Sequence, residues 1–290
     1  MAVAMTASAQ ASHSEPILFA PGVVSGIANA GSPTFTPRGD TMFFTRTTPG
    51  GPSAIMESDR ANGVWSEPRT ASFSGGQWSE SQPALAPDGS FLVYVSVRDH
   101  VANLYRVVRD GLGWSAPQRL PDAVNISESV WRPSVAADGS IYFFVITKTE
   151  DSRTMRLWRA AYDTGAYQPA TPLPFSTDST RDVDPEVAPD QSYILFASAG
   201  RAAIDDPHEH LYMALRSGDM WGPIVPVQFP GSDALGVDDN EPRLSPGQRI
   251  LYFTSDRSSL VMFPRTGESL DAPVVESTNV WAMPASVPHH

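Results

Sequence analysis

A proline-led phrase occurs five times along the chain and constrains its fold more than any other feature. Each copy opens with a proline, continues through a short apolar run and a polar turn, and is followed by a segment rich in aromatic residues. The prolines, spaced 50 to 57 residues apart, are Pro33, Pro83, Pro133, Pro185 and Pro242. A repeat of this length, built from short strands, indicates a β-propeller in which each copy forms one four-stranded blade.

The composition supports an all-β chain. The 290 residues include 27 prolines and 21 glycines, and apolar residues occur in short blocks such as 42–44 and 194–196. Turn-forming residues bound these blocks, and helical periodicity is nearly absent, which is typical of short strands joined by tight turns. The length alone suggests about two domains, but repeats share one continuous core. We therefore predict a single domain.

Charge and cysteine content exclude several classes of function. The formal charge is −12 and the pI is near 4.8, which disfavours binding to nucleic acid or to anionic membranes. No apolar run reaches the length of about 18 residues that a membrane span needs. The chain has no cysteine, which rules out disulfides, thiol catalysis and cysteine-based zinc sites. We expect no nucleic-acid partner and no membrane span.

The first residues indicate export. The segment 7–11 contains the small-x-small pattern of a signal-peptidase site, so residues 1–13 are interpreted as the remnant of a signal peptide. The alternative is a disordered leader rich in alanine and serine. On the first interpretation the protein is periplasmic or secreted. Residues 285–290 are expected to form a tail.

Residues 14–284 are predicted to form one five-bladed propeller. The predicted blades cover 32–71, 82–120, 132–173, 184–228 and 241–284. The last blade lacks a fourth strand, whereas Ser14-Glu15-Pro16 matches the Ser66-Glu67-Pro68 of a fourth strand elsewhere. We therefore expect the segment 14–20 to complete the last blade and close the ring, which removes two exposed sheet edges. We expect the protein to be a monomer.

The repeat resembles that of a known family. Two stretches, from Trp114 through Pro133 to Phe143 and from Glu241 to Arg257, are similar to the repeat of the TolB-like, WD40-like periplasmic propellers. The resemblance spans residues 14–284. The Tol-system protein itself carries an extra N-terminal domain before six blades, and we expect neither feature here.

The resemblance leaves the function open. The family includes interaction modules, propeller domains of serine peptidases and sugar-active enzymes. Its repeat residues are mainly structural, so the resemblance implies no catalytic residue for this chain.

One face of the propeller is expected to carry the function. The turns between first and second strands are tight, whereas the loops between second and third strands are long and unequal, and binding normally occurs at such loops. We call this side the loop-rich face. Its longest loop, 258–278, contains the apolar segment 260–264 and is expected to cover the channel or to pack against the first blade.

Acidic and aromatic residues collect where the innermost strands begin. The residues predicted to bind a ligand are Glu80, Trp78, Trp131, Arg132, Asp182, Asp184 and Asp239. A cation also follows each second strand, so a ring of structural salt bridges and turn caps between neighbouring blades is the alternative interpretation. The cations are Arg46, Arg98, Lys148, Arg201 and Arg257.

The segment 205–210 is the only dense group of potential metal ligands in the sequence. Asp206, His208 and His210 are the candidates, because side chains at i and i+2 share one side of a strand and imidazole and carboxylate both bind zinc-type ions. The alternative is a structural hydrogen bond from His210, which stands at the start of a third strand. No cofactor is predicted beyond this possible divalent metal.

We predict a binding or interaction module that takes a protein, or a small polar or carbohydrate ligand, at the loop-rich face. Nucleophile elbows, phosphate-binding loops and His-Glu-x-x-His motifs are absent from the sequence. The alternative is a hydrolase or lyase acting on a carbohydrate or other small polar substrate, with or without a metal. Its catalytic candidates are Asp184, Asp238, Glu241 and His208. A purely structural scaffold is the third interpretation.

Overall fold

The chain folds entirely into β-strands and turns across the part that the structure describes. This structure is a computed structural model, and it describes residues 15–26, 29–48, 50–111, 113–150, 152–201, 207–234, 236–257 and 278–285. The predicted all-β class is confirmed over these ranges. Within them no helix is long and apolar enough to cross a membrane. The predicted leader 1–13, the loop residues 258–277 and Asp206 lie outside the described residues.

Twenty-four strands make up the described fold. In chain order they are β1 (Ile17–Leu18), β2 (Asn29–Phe35), β3 (Thr41–Thr47), β4 (Ser53–Ala61), β5 (Val64–Trp65), β6 (Arg69–Thr70), β7 (Ser79–Leu85), β8 (Phe91–Arg98), β9 (Val101–Asp110), β10 (Gly113–Trp114), β11 (Gln118–Arg119), β12 (Val130–Val135), β13 (Ile141–Lys148), β14 (Arg153–Ala160), β15 (Tyr162–Asp163), β16 (Ala166–Tyr167), β17 (Thr171–Pro172), β18 (Arg181–Val187), β19 (Tyr193–Ala199), β20 (His210–Ser217), β21 (Met220–Pro226), β22 (Asp239–Leu244), β23 (Ile250–Ser255) and β24 (Asn279–Pro284).

Most strands pair with their neighbours in sequence, in antiparallel order. One sheet has the order β2-β3-β4-β5, with β6 also beside β4, and a second has the order β7-β8-β9-β10, with β11 also beside β9. The strands β12-β13-β14 and β18-β19-β20-β21 belong to one larger sheet, joined by a single parallel pair between Met155 and Arg181. In this sheet β17 lies beside β14, whereas β15 and β16 form a separate hairpin.

The N-terminal strand completes the sheet formed by the last three strands. Ile17 pairs with Ala282 and Leu18 with Trp281, so β1 lies beside β24 in the order β1-β24-β23-β22. The backbone N–H of Phe19 extends this ladder by donating to Val280 O at 2.8 Å. The ends of the described chain are therefore held together by main-chain hydrogen bonds.

The first strands of the repeats surround a common axis. Strands β2, β7, β12, β18 and β22 contact one another in this order, and β22 also contacts β2. Apolar and aromatic side chains pack between successive sheets. For example, the Trp114 ring lies edge-on to Phe43 and Phe73, at 5.7 Å from each ring centre. Both phenylalanines are buried. The first strands of successive repeats therefore lie side by side.

Candidate functional site

Every first strand contains a β-bulge beside its repeated proline. The strand register shifts at the same point in all five, and the residue before the proline takes a left-handed backbone conformation. These residues are Ser32 (φ 55°), Gln82 (φ 56°), Arg132 (φ 52°), Asp184 (φ 53°) and Glu241 (φ 51°). We call them the channel ring. A positive φ is unfavourable for such residues, and proline, which has no N–H to lose from the ladder, is suited to follow the bulge.

Contacts across the axis show that the channel ring converges. Gln82 Nε2 donates to Glu241 Oε1 at 3.4 Å, although β2 lies between the strands that carry them. Gln82 Oε1 accepts a hydrogen bond from the backbone N–H of Arg132 at 3.0 Å. The ring therefore brings donors and acceptors from different sheets into one network.

Two arginine side chains, one of them that of the ring residue Arg132, are buried between the first strands. Arg132 Nη2 donates to Pro242 O at 3.3 Å, and Arg243 Nη2 donates to Pro133 O at 3.3 Å and to Pro83 O at 3.5 Å. The side chain of Arg132 is fully buried, and that of Arg243 is nearly so. We call this pair the arginine plug, because its members bond to backbone carbonyls of three first strands.

Asp184 and Glu241 form a close pair of carboxyl groups in the channel ring. The backbone N–H of Glu241 donates to Asp184 Oδ2 at 3.2 Å. Burial and then the charge of Glu241 raise the pKa of Asp184 to about 8. Burial also acts to raise the pKa of Glu241, but the positive charge of Arg132 and hydrogen bonds outweigh it, and that pKa lies below its usual value. Near neutral pH one carboxyl group therefore holds a proton while its neighbour is ionised.

Glu209 adds a third carboxylate to this region. Its Oε1 accepts from Arg181 Nη2 at 3.1 Å, and its Oε2 accepts from Asn240 Nδ2 at 3.1 Å. Burial raises the pKa of Glu209, and its negative charge contributes to the raised pKa of Asp184. Glu209 is not among the site residues that the sequence predicts, because nothing in the segment 205–210 indicates that this residue bonds to β18 and β22.

Three of the acids predicted to bind a ligand have an arginine partner in their own sheet. Asp182 receives two hydrogen bonds from Arg201, at 2.6 and 2.9 Å, and another from Ser198 at 2.6 Å. The carboxylate of Asp239 receives two from Arg257 Nη2, at 2.5 and 2.6 Å.

The third of these acids, Glu80, is held less closely. Its Oε1 lies 4.0 Å from Arg98 Nη2 and 3.5 Å from the hydroxyl group of Tyr94. The expected pairing of acids with cations is therefore present at all three positions, within sheets rather than between neighbouring blades.

Trp78 and Trp131, the two aromatic residues predicted to contact a ligand, are half-buried and lie where the first strands of their repeats begin. The Arg98 guanidinium group lies 5.6 Å from the Trp78 ring centre. The indole N–H of Trp131 donates to Ser129 Oγ at 2.8 Å, and its ring packs against the apolar core. Both rings keep part of their surface accessible beside the channel ring.

Asp238, His208 and His210 are the remaining candidates among the described residues. Asp238 Oδ1 accepts the backbone N–H of Glu209 at 2.7 Å and so caps the start of a strand. His208 and His210 are half-buried, and His210 pairs with Ser198 across β20 and β19. Among the described residues there is no group of three potential metal ligands. A metal site at Asp206, His208 and His210 stays a prediction.

Comparison with known proteins identifies the fold. No family model and no curated protein matches the sequence. TolB from Acinetobacter baumannii superimposes with a TM-score of 0.54 at 12% identity, over 91% of this chain and 56% of that one. The fold is a TolB-like β-propeller. The chain thus spans little more than half the length of that TolB protein.

Other solved structures share this propeller fold. A putative TolB from Agrobacterium tumefaciens has a TM-score of 0.51 at 15% identity, over 79% of this chain and 70% of that one. A thermostable family-43 glycoside hydrolase has a TM-score of 0.56 at 11% identity, over 81% of this chain and 86% of that one. At these identities the likeness is one of fold.

Proposed function

We propose that this chain is an exported five-bladed propeller that acts as a binding module through its loop-rich face. The five repeats, the mutual contacts of the five first strands and the pairing of β1 with β24 support the blade number. The small-x-small segment at 7–11 supports export. The ligand is a protein segment or a small polar or carbohydrate molecule that enters at the channel ring.

The observation that carries this proposal is the mixed chemistry of the channel ring. Gln82 and Glu241 are half-buried, and they supply an amide and a carboxylate from opposite sides of the axis. Asp184 is buried and accepts the backbone N–H of Glu241, and the half-buried Trp78 and Trp131 lie where the first strands of their repeats begin. A few polar groups placed by rigid strands and flanked by aromatic surface are typical of sites for polar ligands.

A thermal-shift screen tests the proposal. Wild-type protein is screened against glycans and peptides, and each hit is titrated against Gln82→Ala and Asp184→Asn. A ligand at the ring should raise the wild-type midpoint according to RT ln(1 + [L]/Kd), and both variants should reduce that shift. The matched control is Asp163→Asn, which changes an exposed aspartate in β15. If all three variants bind the hits as tightly as the wild type does, the ligands bind elsewhere and the proposal is wrong.

A second candidate function rests on the Asp184–Glu241 pair. Neighbouring carboxyl groups with pKa values moved in opposite directions are suited to serve as general acid and general base. A hydrolase or lyase acting on a carbohydrate would use Asp184 as the acid and Glu241 as the base.

A glycoside panel assayed from pH 4 to 9 distinguishes this function from simple binding. An enzyme should lose roughly 100-fold or more of its kcat in Asp184→Asn and in Glu241→Gln, with KM changed far less. Substrates that bind at the ring without any turnover would support the binding module and exclude this second function for those substrates.

A further inference from the structure

Two of the carboxyl groups on the first strands have no arginine beside them. Among the described residues, no arginine lies within 4.0 Å of the carboxyl groups of Asp184 and Glu241. We call these two residues the acidic pair. The other acids of the first strands each have an arginine within that distance, and they are Glu80, Asp182, Glu186 and Asp239.

The charges around the acidic pair balance only while one of its carboxyl groups holds a proton. Arg132 of the arginine plug is fully buried, and its positive charge acts on both acids. The other nearby charges already have partners, since Glu209 bonds to Arg181 and the second arginine of the plug bonds to Glu186. One positive charge therefore faces two carboxyl groups, and the proton on Asp184 restores the balance.

Glu241 makes the acidic pair accessible to a ligand. It is half-buried, as is Gln82, whereas Asp184 is buried. Among the described residues, Glu241 Oε1 accepts from Gln82 Nε2 at 3.4 Å and its Oε2 accepts from Thr254 Oγ1 at 2.9 Å. An ionised carboxylate has about four acceptor positions, so that of Glu241 can accept further hydrogen bonds.

Ser32 supplies another acceptor beside the acidic pair. Its side chain is fully buried, and its Oγ has no hydrogen-bond partner among the described residues. Burial acts to raise the pKa of Glu241, and the Ser32 hydroxyl group is one of the neighbours that act to lower it. This hydroxyl group therefore faces the Glu241 carboxylate. A buried hydroxyl group without a partner is costly, which indicates that a ligand group bonds beside it.

We propose that the ligand of the channel ring carries a primary ammonium group, which hydrogen-bonds to Glu241 and replaces the proton on Asp184. This inference rests on the proposed function, because it names the ligand class of the same site. An ammonium group has several N–H donors and no acceptor, and it therefore suits the acidic pair and the Ser32 hydroxyl group. A calcium ion requires about six or more oxygen ligands, and no group of three potential metal ligands occurs among the described residues.

Binding of the ammonium group should release the proton of Asp184 to solvent. The charged groups that act on Asp184 are Glu241 on β22, Arg132 on β12 and Glu209 before β20. Burial and then the Glu241 charge raise the pKa of Asp184 to about 8 in the free protein, and a bound cation would lower it. The affinity should therefore rise at least about fivefold from pH 6 to pH 7.5, a range in which an alkylamine stays charged.

Four probes with the same butyl or butanoyl chain test this proposal: n-butylammonium, n-butyltrimethylammonium, 1-butanol and butyrate. In ligand-observed NMR titrations at pH 7.5, n-butylammonium should bind with a Kd on the order of 1 mM. The others should bind at least about tenfold more weakly, because they lack either the N–H donors or the positive charge. Calorimetric titrations at pH 7 in buffers of different ionisation enthalpy should show release of about one proton per bound n-butylammonium.

Two ring variants and one control complete the test. Glu241→Gln should weaken n-butylammonium binding at least about tenfold. Asp184→Asn should remove both the proton release and the pH dependence of the affinity. Asp163→Asn, at an exposed residue of β15, should behave like the wild type. The proton release is measured on wild-type protein, so the proposal stays testable if a ring variant fails to fold.

Several results would show that the ligand carries no ammonium group. They are equal affinity for 1-butanol and n-butylammonium, a Kd that does not change with pH, tighter binding of Ca²⁺ than of the amine, or no binding at about 50 mM n-butylammonium. If neutral glycans or peptides then bind in a manner that depends on Gln82 and Asp184, the proposed function stands without this inference. If neither the probes nor the screened ligands bind, both proposals are wrong.

Discussion

The side chain of Asp184 is buried, and its carboxyl group lies close to the carboxylate of Glu241. Burial and the Glu241 charge raise the pKa of Asp184 from 3.8 to about 8 on folding. A carboxyl group whose pKa rises on folding stabilises the fold in its protonated form. That contribution is complete below a pH of about 4, and it is lost as the pH rises to about 8.

Asp184→Asn should therefore remove much of this pH dependence. Asparagine keeps an oxygen for the backbone N–H of Glu241 but carries no charge at any pH. Between pH 5 and pH 8.5 the wild type should lose about 2–4 kcal/mol more unfolding free energy than the variant, as measured by urea unfolding at both pH values. The exposed Asp163→Asn serves as the control and should behave like the wild type. Parallel pH profiles for wild type and Asp184→Asn would show that Asp184 is ionised in the fold.

Gly31 provides a steric test of the channel ring. A Cβ at this position would collide with Glu241 Oε2 and would lie 3.0 Å from Thr254 Oγ1. Gly31→Ala should cost about 1–3 kcal/mol of unfolding free energy. Gly76→Ala, where nothing lies within 4 Å of the new Cβ, should cost far less.

A double-mutant cycle with Glu241→Ala assigns the cause of this loss. If the collision with Glu241 is responsible, the second substitution should recover about 1 kcal/mol or more of the cost. Strictly additive costs would mean that Gly31 is required for another reason.

The sequence identifies part of this site and misses the rest for physical reasons. Asp184 and Glu241 are recognisable because acids beside a repeated proline must share an end of the channel. Gln82 has no such signature, since a neutral amide beside a proline is common. Its role depends on a contact with β22, which lies three repeats further along the chain. The pairing of each acid with an arginine depends on distances between side chains. These distances cannot be read from the spacing of residues in the sequence.

At the scale of single elements, the repeat predicted the second strands well. The repeat predicts second strands at 41–45 and 91–96, and the observed strands are Thr41–Thr47 and Phe91–Arg98. Each begins at the predicted residue and runs two residues further. The bulges could not be predicted, because Ser32 and Arg132 have no intrinsic preference for a left-handed backbone. Their conformation is imposed by pairing with the second strand on both sides of the proline.

Strand β1 offers a prediction at this scale. Phe19 follows it and packs edge-on to Tyr252 at 4.8 Å between ring centres, and to Trp65 at 6.2 Å. Phe19→Ala should lower the unfolding free energy by about 2–4 kcal/mol, because the aromatic contacts at the joined ends are lost. The matched control is Ile17→Ala within β1, because Ile17 is 68% exposed and its truncation should cost less than about 1 kcal/mol. Equal losses in both variants, measured by urea unfolding, would contradict the packing described here.

For the whole molecule, the joined ends predict tolerance to circular permutation. Ile17 pairs with Ala282, so the residues before Ile17 run beside the end of β24. A short glycine-rich linker from Ala285 to Glu15 would therefore make β24 and β1 a continuous hairpin. A permutant that begins at Gly76, in an exposed segment between two sheets, should keep the fold and lie within about 1 kcal/mol of the parent chain.

Circular dichroism and urea unfolding measure this outcome. The control permutant begins at Phe144, inside the buried strand β13, and should fail to fold because the break removes a central ladder. If the two permutants were equally stable, an unbroken main chain in β13 would not be required for folding. If the Gly76 permutant failed while the parent folds, the pairing of β1 with β24 would be in doubt.

The channel ring also bears on how such a protein can diversify. Five positions share one backbone conformation, with φ between 51° and 56°, yet they carry serine, glutamine, arginine, aspartate and glutamate. The scaffold thus tolerates very different side chains at equivalent points around one axis. Under the proposed function, a change in ligand preference therefore requires only point substitutions at these five positions, while the paired strands of the sheets stay unchanged.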